Sequence, residues 1–326
     1  MDNASIVENF VAPTLADLRA AAARIAPHAR VTPVLNDSTL DVHAGAKLFF
    51  KCEHLQIGGA FKFRGACNAV WSLSEKEAER GVVTHSSGNH GAALALAAAT
   101  RGIPAHIVVP EGAVATKLAN IERAGGILHR CAASQAAREE TCAQVQRNTG
   151  ATLVHPYADA RVMAGQGTIA LELLQQVPGL DAVIVPIGGG GLASGCVIAL
   201  DALAPEASLV GAEPAGADDA FQSLRRGERV TDVRPQTVCD GLRATLGEPD
   251  FALLREHHVE VITVDDHATL AAMRLVWAEL KQTIEPSSAT VLAALLAQRE
   301  RFSGRRVGLV LTGGNVDLDA IPFTRQ

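Results

Sequence analysis

The stretch VIVPIGGGGLASG, residues 183–195, joins a β-branched strand to a helix through four consecutive glycines. Successive backbone N–H groups can converge in such a loop, and the amino end of the following helix adds partial positive charge. Both features favour an anion, most naturally phosphate. A merely flexible turn is a poorer explanation, because four glycines are costly in backbone entropy. The stretch therefore predicts a strand–loop–helix unit that binds phosphate.

The same alternation of strand and helix continues on both sides of this unit. Near-continuous apolar strands between helices indicate parallel sheets covered by helices on both faces. No Pro/Gly/Ser-rich linker interrupts the pattern, so we expect two interleaved α/β domains. Strands are expected at 48–50, 82–83, 105–109, 127–129, 152–154, 182–186, 208–211, 261–264 and 306–311. Helices are expected at 63–73, 89–100, 114–123, 134–148, 162–176, 192–202, 268–281 and from 287 onwards, with an irregular stretch at 227–247.

The composition excludes several classes of protein. Of the 326 residues, 48% are hydrophobic and 20% charged, which suits a large core and argues against disorder. A net charge of −6 and 4% aromatic residues do not fit a nucleic-acid binder. The longest apolar stretch, 92–99, is too short to span a membrane, and no signal peptide precedes the first helix. We therefore expect a cytoplasmic protein with neither a nucleic-acid nor a membrane partner.

The cysteine pattern agrees with a cytoplasmic protein. No pair has the spacing of a zinc or redox motif, so reduced cysteines buried in the core are expected. The six are Cys52, Cys67, Cys131, Cys142, Cys196 and Cys239.

The glycine loop also admits a second interpretation. Gly188, Gly190 and Ala193 satisfy the G-x-G-x-x-A pattern, and Glu213 follows the next strand. This spacing is the fingerprint of a dinucleotide site, in which the acidic residue binds ribose. An NAD-dependent oxidoreductase is therefore an alternative at this point.

Lys62 is a candidate nucleophile. Only six of the 29 basic residues are lysines, and this one follows a glycine-containing loop at the start of a helix. Apolar surroundings and the helix amino end both disfavour an ammonium ion and lower its pKa. A deprotonated lysine there could form a Schiff base. A lysine that is ion-paired or reaches to the surface is the alternative on these grounds alone.

Five motifs in fixed order carry a resemblance that covers nearly the whole chain. They resemble those of the fold type II pyridoxal 5′-phosphate (PLP) enzymes, specifically the serine/threonine dehydratase and serine racemase family. The NAD alternative leaves the lysine and SSGNHG motifs unexplained. The five are EHLQIGGAFKFRGA (53–66), THSSGNHG (84–91), AGQGT (164–168), GGGG (188–191) and TGGN (312–315).

The resemblance implies an α/β fold with two parallel or mixed sheets, of the tryptophan synthase β-like kind. Residues 1–70 and 158–326 would form a large PLP-binding domain, and residues 71–157 a small domain inserted in it. PLP would lie between the two domains. A homodimer is expected from the family alone.

The resemblance also assigns the residues around the cofactor. Lys62 would hold PLP as a Schiff base and later take the Cα proton, and Phe61 would pack against the pyridine ring. Asn89 would bind the phenolic oxygen, and Gly188–Gly191 the phosphate. Thr312 would face the pyridine nitrogen, where a neutral hydroxyl suits elimination of a β-hydroxyl better than a long-lived carbanion.

Substrate contacts are implied at the second motif. Ser86, Ser87, Asn89 and His90 would bind the substrate carboxylate, and Ser87 stands where racemising members have the opposite-face acid/base. A compatible alternative is that the SSGN residues cap the following helix. Arg138 aligns with a family arginine near the site, although a solvated arginine on a helix face is an equal alternative.

Three departures from the family pattern affect specificity. Ala60 replaces the usual serine before Phe-Lys, as in the 3-hydroxyaspartate dehydratase and fungal racemase-like branch. Ile57 and Gly58 stand where the mammalian racemase contacts nucleotide, so activation by ATP is not expected. Tyr157 replaces an asparagine that normally faces the substrate, so a bulky phenol should change which side chain fits.

A divalent-cation site is implied after the strand expected at 208–211. Glu213 and Asp219 would supply carboxylates and Ala217 a backbone carbonyl, as in the racemase branch. Ligands that are all oxygen suit Mg²⁺ or Ca²⁺. A solvated acidic turn is the alternative.

The sequence therefore predicts a PLP-dependent ammonia-lyase of the threonine/serine dehydratase type. Its substrate would be an L-3-hydroxy amino acid such as serine or threonine, which is converted to a 2-oxo acid and ammonia. The alternatives are a 3-hydroxyaspartate or phenylserine dehydratase and a serine racemase. From other classes, the alternatives are an NAD-dependent oxidoreductase and a silent amino-acid-binding protein.

Overall fold

The strands of the chain form two separate sheets. The structure is a computed structural model, and it describes residues 10–113 and 115–317. The strands are β1 Val34–Leu35, β2 Lys47–Lys51, β3 Val82–Thr84, β4 Ala105–Pro110, β5 Ile127–Cys131, β6 Thr152–Leu153, β7 Ala182–Pro186, β8 Ser208–Pro214, β9 Glu260–Val264 and β10 Arg306–Val310.

Helices separate most of the strands. They are α1 Leu15–Ile25, α2 Ser38–Ala44, α3 Lys62–Trp71, α4 Glu75–Ala78, α5 Asn89–Arg101, α6 Ala115–Arg123, α7 Gln135–Thr149, α8 Ala160–Gln176, α9 Gly191–Leu203, α10 Asp219–Arg226, α11 Glu248–Glu256, α12 Asp266–Leu275, α13 Pro286–Ala297 and α14 Arg299–Phe302. Short 3-10 turns occur at Glu53–Leu55, Ile57–Gly59, Ala215–Ala217 and Asp240–Leu242.

The order of strands confirms the predicted α/β class. The larger sheet has the order β1-β2-β10-β7-β8-β9, and only the β1–β2 pair is antiparallel. The smaller sheet has the order β5-β4-β3-β6 and is parallel throughout. All strands of the smaller sheet fall within residues 71–157, and all those of the larger sheet fall outside. The domain boundaries themselves stay a prediction.

Both faces of the larger sheet are buried beneath helices. Alternate residues of a strand point to opposite faces. In β7, Val183 and Val185 pack into a core with residues of α1, α8 and α9. Ile184 packs into the other core, with residues of α12 and α13 such as Met273 and Val291. This two-sided burial explains why the strand is apolar at every position.

Glycines let α3, α8 and α9 cross with their backbones in contact. A Cβ on Gly165 would lie 2.6 Å from the carbonyl oxygen of Arg64, and one on Gly195 would lie 2.3 Å from that of Met163. The AGQGT motif at 164–168 is thus part of this crossing. It holds α3, which carries Lys62, against α8.

Some expected boundaries differ from the observed ones. The helix expected at 268–281 is α-helical to Leu275 and then makes one π-helical turn, Val276–Leu280, that ends at Lys281 with a φ of 56°. Helices α1, α2, α4, α10 and α11 were not predicted. Four of them have at most nine residues, too few for the helical period to be distinctive.

The six cysteines are buried and form no disulfide, as predicted. Within residues 10–113 and 115–317, no helix is both long and apolar enough to cross a membrane.

Candidate active site

Lys62 is the first residue of α3 and is held against the end of β10. The backbone N–H of Phe61 donates to the carbonyl of Thr312 (2.9 Å), and Ala60 forms a bridge with Gly313. The Nζ of Lys62 donates to the carbonyl oxygen of Pro156 (3.0 Å) and lies 5.1 Å from the centre of the Phe61 ring. Burial lowers the pKa of Lys62 to about 8. The amine is therefore uncharged in roughly a tenth of the molecules at pH 7 and in about half of them near pH 8.

The glycine loop opens α9 and carries no side chain. Gly190, with a φ of 100°, is the N-cap residue, and no side chain caps the helix. A Cβ on Gly189 would lie 2.2 Å from the ring of Tyr157, and one on Gly188 would lie 3.0 Å from the Cα of Leu242. Only glycine fits this space, and the amino end of α9 keeps unbonded N–H groups for an anion.

A chain of hydrogen bonds links the second and fifth motifs. The Nδ2 of Asn89 donates to Oε1 of Glu285 (3.0 Å), and its Oδ1 accepts from Asn315 (2.9 Å). The N–H of Glu285 donates to the carbonyl of Gly313 (3.0 Å). Thr312 is buried next door, with its hydroxyl 3.1 Å from that of Ser288. Sequence reasoning missed Glu285 and Ser288, although Ile-Glu-Pro before a helix is a usable signal.

The loop at 84–91 leaves the amino end of α5 open. The N-cap residue is Gly88, and no side chain caps the helix, so the interpretation that SSGN caps it is wrong. Ser86 and Ser87 are half-buried at this end. His90 lies deeper, 2% exposed, with Nε2 3.3 Å from the carbonyl of Val154.

Two histidines that sequence reasoning missed, His85 and His155, pack beside Tyr157. The rings of His155 and Tyr157 meet edge to face at 4.5 Å, and those of His85 and His155 at 5.3 Å. Burial, helped by the nearby charges of His85 and Lys62, lowers the pKa of His155 to about 3. Burial raises the pKa of Tyr157 to about 12. The three side chains form a neutral wall, and both histidines stand in stretches already singled out for their neighbours.

Arg138 lies on α7, within electrostatic reach of His85. Its side chain is half-buried rather than fully solvated, and its Nε is buried without a hydrogen-bond partner. The pKa of His85 is lowered, chiefly by burial, and the charge of Arg138 lowers it further. Arg138 is therefore close enough to act on His85 electrostatically.

A buried acid, Asp250, lies against the glycine loop. It is 0% exposed; its Oδ1 accepts from the hydroxyl of Ser194 (2.9 Å), and its Oδ2 has no partner. Burial raises its pKa to about 7. No pattern in the sequence singled it out, although Gly-Glu-Pro before it marks the start of a helix.

The two carboxylates expected to bind a cation are buried. Glu213 and Asp219 are 1% and 3% exposed, so the alternative of a solvated acidic turn is wrong. Glu213 accepts from the N–H groups of Ala220 (2.9 Å) and Phe221 (2.8 Å), and Asp219 accepts from that of Leu246 (2.7 Å). Burial raises their pKa values to about 9 and about 6.

Ala217, the third expected ligand, is the buried last residue of the 3-10 turn that lies between these two carboxylates in sequence. The described residues contain no group of three or more His, Cys, Asp or Glu side chains arranged to hold a metal ion. The ligand set of two carboxylates and one carbonyl therefore stays a prediction.

The arrangement fits PLP. A lysine with a lowered pKa, a side-chain-free loop at an uncapped helix, and a buried hydroxyl pair all lie at the carboxyl ends of strands. These are the groups that a phosphorylated aldehyde with a pyridine ring requires.

Comparisons with known proteins identify the family. A family model described as pyridoxal-phosphate dependent enzyme matches residues 25–313. A beta-hydroxyaspartate dehydratase of Paracoccus denitrificans (strain Pd 1222) is 49% identical over 311 residues, which cover 95% of this chain and 99% of that protein. The structure of maize serine racemase has a TM-score of 0.93 at 45% identity and covers 95% of this chain and 96% of that one. The structure of a T.th. threonine deaminase has a TM-score of 0.89 at 40% identity, with coverages of 94% and 99%.

The family match includes the first four motifs and the start of the fifth, and these comparisons give the NAD interpretation of the glycine loop no support. With a family model matching most of its length and relatives of this identity, the chain belongs to the family of pyridoxal-phosphate dependent enzymes.

Proposed function

We propose that this enzyme dehydrates and deaminates an L-3-hydroxy amino acid. The Cα proton and the β-hydroxyl leave together as water, and the resulting enamine takes up one water to give a 2-oxo acid and ammonia. The observation that carries the proposal is the amine of Lys62, whose pKa is about 8 and which is held by one carbonyl. Similarity to proteins named beta-hydroxyaspartate dehydratase and threonine deaminase supports the same reaction.

Lys62 is the base in this proposal. Bound PLP withdraws electron density from the substrate's Cα–H bond and makes that proton acidic. Lys62 accepts the proton, because burial makes the uncharged fraction of its amine far larger than that of a solvated lysine. The carbonyl of Pro156, 3.0 Å from Nζ, fixes the direction of the amine.

The substrate carboxylate would bind at the amino end of α5. This end is uncapped, so its N–H groups are free to bind an anion, and the hydroxyls of Ser86 and Ser87 lie beside it. Phe61 would pack against the cofactor ring, with Asn89 at its phenolic oxygen and Gly188–Gly191 at its phosphate. Thr312, paired with Ser288, would face the ring nitrogen with a hydroxyl rather than a carboxylate.

Serine racemisation is a second candidate, and Ser87 favours it. This side chain is half-buried at the open end of α5 and does not cap the helix, so it is available as an acid. Racemisation needs reprotonation of Cα from the face opposite Lys62. Similarity to the serine racemase of maize supports this candidate. The amounts of D-serine and pyruvate formed from L-serine distinguish the two reactions.

The substrate side chain would meet the wall formed by Tyr157, His85 and His155. A neutral phenol and two neutral imidazoles can donate hydrogen bonds to a polar substituent, and Arg138 adds a positive charge nearby. These groups favour a 3-hydroxy amino acid with a polar or acidic substituent. Parallel assays of L-serine, L-threonine, 3-hydroxyaspartate and 3-phenylserine test this preference.

We further propose that Glu213, Ala217 and Asp219 bind Mg²⁺ or Ca²⁺. Burial raises the pKa of both carboxyl groups, and a cation would offset the cost of ionising them. Chelation should then lower the melting temperature, and added Mg²⁺ or Ca²⁺ should restore it. A melting temperature unchanged by chelation, after atomic analysis has verified metal removal, would exclude the site.

The organisation of the chain completes the proposal. Residues 1–70 and 158–326 would form the PLP-binding domain and residues 71–157 the inserted small domain, a division supported by the position of every strand of the smaller sheet within residues 71–157. We propose a cytoplasmic homodimer, in keeping with six unpaired cysteines in the interior. Sedimentation of the holoenzyme tests the dimer.

One experiment tests the cofactor site directly. The purified enzyme is reduced with borohydride, digested, and its peptides are weighed. PLP fixed to Lys62 is the expected result. PLP fixed to another lysine, or a colourless protein that takes up no PLP, would overturn the assignment.

A further inference from the structure

The side chain of Asp250 is a buried acid with an unused oxygen. It lies in the first turn of α11, is 0% exposed, and has one hydrogen bond, from Ser194 to Oδ1. Its Oδ2 has no partner. A buried polar atom without a partner is costly, so a ligand atom beside Oδ2 is the economical explanation.

Asp250 lies against the glycine loop. A Cβ on Gly190 would be 2.5 Å from its Cβ and 2.9 Å from its Cγ. A Cβ on Gly247 would be 2.2 Å from Oδ2 and 3.1 Å from the ring of Tyr157, which itself covers Gly189. The unused oxygen, the phenol ring and the loop backbone therefore border the same small space.

Two helices begin at this space without a side-chain cap. Gly190 precedes α9 and Gly247 precedes α11. The N–H of Gly247 already donates to the carbonyl of Gly189 (3.0 Å) and is not available to Asp250. Helix amino ends attract anions, but an anion here would meet a carboxylate unless that carboxylate carried a proton.

We propose that Asp250 is a cofactor-binding residue, which as a neutral carboxylic acid donates a hydrogen bond from Oδ2 to a phosphate oxygen of PLP. A proton on Oδ2 supplies the donor that this oxygen otherwise lacks. It also removes the repulsion between two anions. PLP retention then depends on the protonation of Asp250.

The charged groups around Asp250 agree with a neutral acid. Burial raises its pKa to about 7, while the hydrogen bond from Ser194 and the charge of Lys62 lower it. Tyr157 faces it as a neutral phenol, and Asp219 at the start of α10 adds negative charge to the same region. A phosphate dianion in the loop would raise the pKa of Asp250 further.

The test uses pyridoxine 5′-phosphate, which has no aldehyde and so excludes covalent chemistry at Lys62. Its dissociation constant is measured from about pH 7 to about pH 9, where the phosphate is already a dianion, for the wild type and Asp250→Asn. In the wild type, affinity should fall by up to about tenfold per pH unit as Asp250 ionises. The amide of Asp250→Asn keeps a donor at every pH, so relative to this variant the wild type should lose affinity progressively as the pH rises.

Several outcomes would overturn the proposal. The proposal would be wrong if the wild type and Asp250→Asn bound pyridoxine 5′-phosphate equally well at every pH. It would also be wrong if the affinity of the variant were lower than that of the wild type by the same factor at every pH. If the variant fails to fold, the wild type alone tests the proposal. Its affinity for pyridoxine 5′-phosphate must then fall as the pH rises, while its affinity for pyridoxine, which has no phosphate, must not. Asp37→Asn, an N-cap substitution at α2, is the matched control and should leave binding unchanged.

The inference rests on the placement of the phosphate in the glycine loop under the proposed function. A wild type that binds pyridoxine as tightly as its phosphate ester would overturn that placement, whatever the pH profile. Dehydratase activity is assayed separately. Its absence would overturn the proposed reaction while leaving the role of Asp250 to the binding data.

Discussion

Helix α3 carries two basic side chains that point into the protein, and their surroundings differ sharply. Arg64 belongs to a compact network of ion pairs, whereas Lys62, two residues earlier, donates its hydrogen bond to a backbone carbonyl. Residues two positions apart point to nearly opposite sides of a helix, at about 100° per residue. One helix therefore contributes stability on one side and reactivity on the other.

In the network around Arg64, the charges and the hydrogen-bond donors of the basic side chains are paired. Arg64 bonds to Glu53 (2.7 Å) and Glu172 (2.6 Å), and Lys51 also bonds to Glu172 (2.6 Å). Burial raises the pKa of Glu172, but the hydrogen bonds from Arg64 and Lys51 outweigh it, so the net pKa is lowered. Two positive and two negative charges balance, and every donor group of Arg64 and Lys51 has an acceptor.

The cleft around Lys62 leaves polar atoms unpaired. The Nδ1 of His90, the Oγ1 of Thr84 and the Oδ2 of Asp250 are buried without a partner. Lys62 itself has a carbonyl rather than a carboxylate as its hydrogen-bond partner. Unsatisfied groups with shifted pKa values are costly to stability, and they concentrate where a ligand is to bind.

Replacing one lysine from each region should give the largest difference between an effect on reactivity and an effect on stability. Lys62→Ala should lower the rate of 2-oxo acid formation by about 10⁴-fold, because it removes the base, and should abolish covalent PLP attachment. Its stability should be unchanged or higher, since an uncompensated buried amine is lost. Lys51→Ala should instead destabilise the fold and keep the covalent attachment. Covalent PLP in Lys62→Ala would contradict the assignment.

Arg64→Met should be the most damaging to stability. It leaves the buried Glu53 and the half-buried Glu172 with only the charge of Lys51 to balance them, which costs up to about 3–5 kcal/mol. Urea unfolding of the holoenzyme measures this loss. The surface control Arg123→Met should change the free energy of unfolding by less than about 0.5 kcal/mol. Equal effects of the two variants would show that the network contributes little.

Within the cleft, Ser87→Ala should slow racemisation much more than dehydration. Formation of D-serine should fall by about 10²-fold or more, because the acid on the face opposite Lys62 is gone. Pyruvate formation from L-serine should change much less. Chiral chromatography and a pyruvate assay on the same sample give both rates. Equal losses would mean that Ser87 serves binding rather than proton transfer.

The two regions should also respond differently to acid. His155 has a pKa of about 3 when folded and about 6.5 when unfolded, so the unfolded chain takes up its proton first. Stability should fall as the pH drops through this window, by up to about 1.4 kcal/mol per pH unit. The contribution of Glu172, whose folded pKa is lowered, is lost only below its usual value of 4.5.

His155→Asn checks this difference, because it removes the titrating ring and keeps an acceptor for the N–H of Ala158. In thermal melts, the variant should lose less stability than the wild type when the pH is lowered from about 6.5 to about 5. His43→Asn at the exposed surface should follow the wild type. A variant as acid-sensitive as the wild type would assign the loss to other groups.

The sequence was most informative where a motif is local. The strand–loop–helix unit at 183–195 and the position of Lys62 at a helix start depend on neighbouring residues, and the structure has both. The prediction that the α-helix starting near residue 268 continues to residue 281 was wrong, because a π-helical turn and a positive φ depend on tertiary packing.

The remaining parts of the site depend on distant contacts. Lys62 meets Pro156 across 94 positions, Arg64 meets Glu172 across 108 and Asn89 meets Glu285 across 196. Periodicity and spacing carry no information on such pairs. Asp250 shows this best, since its significance lies entirely in the loop it faces, about 60 positions earlier.

The position of β10 has a consequence for biosynthesis. This strand, the last in the described part of the chain, lies in the interior of the larger sheet, between β2 and β7. On the ribosome, β2 must therefore wait for more than 250 further residues before its parallel neighbour is made. Until then the nascent chain exposes two unpaired apolar strand edges, the kind of surface that chaperones protect. A truncation before Arg306 should accordingly be recovered as aggregate rather than as a smaller folded protein.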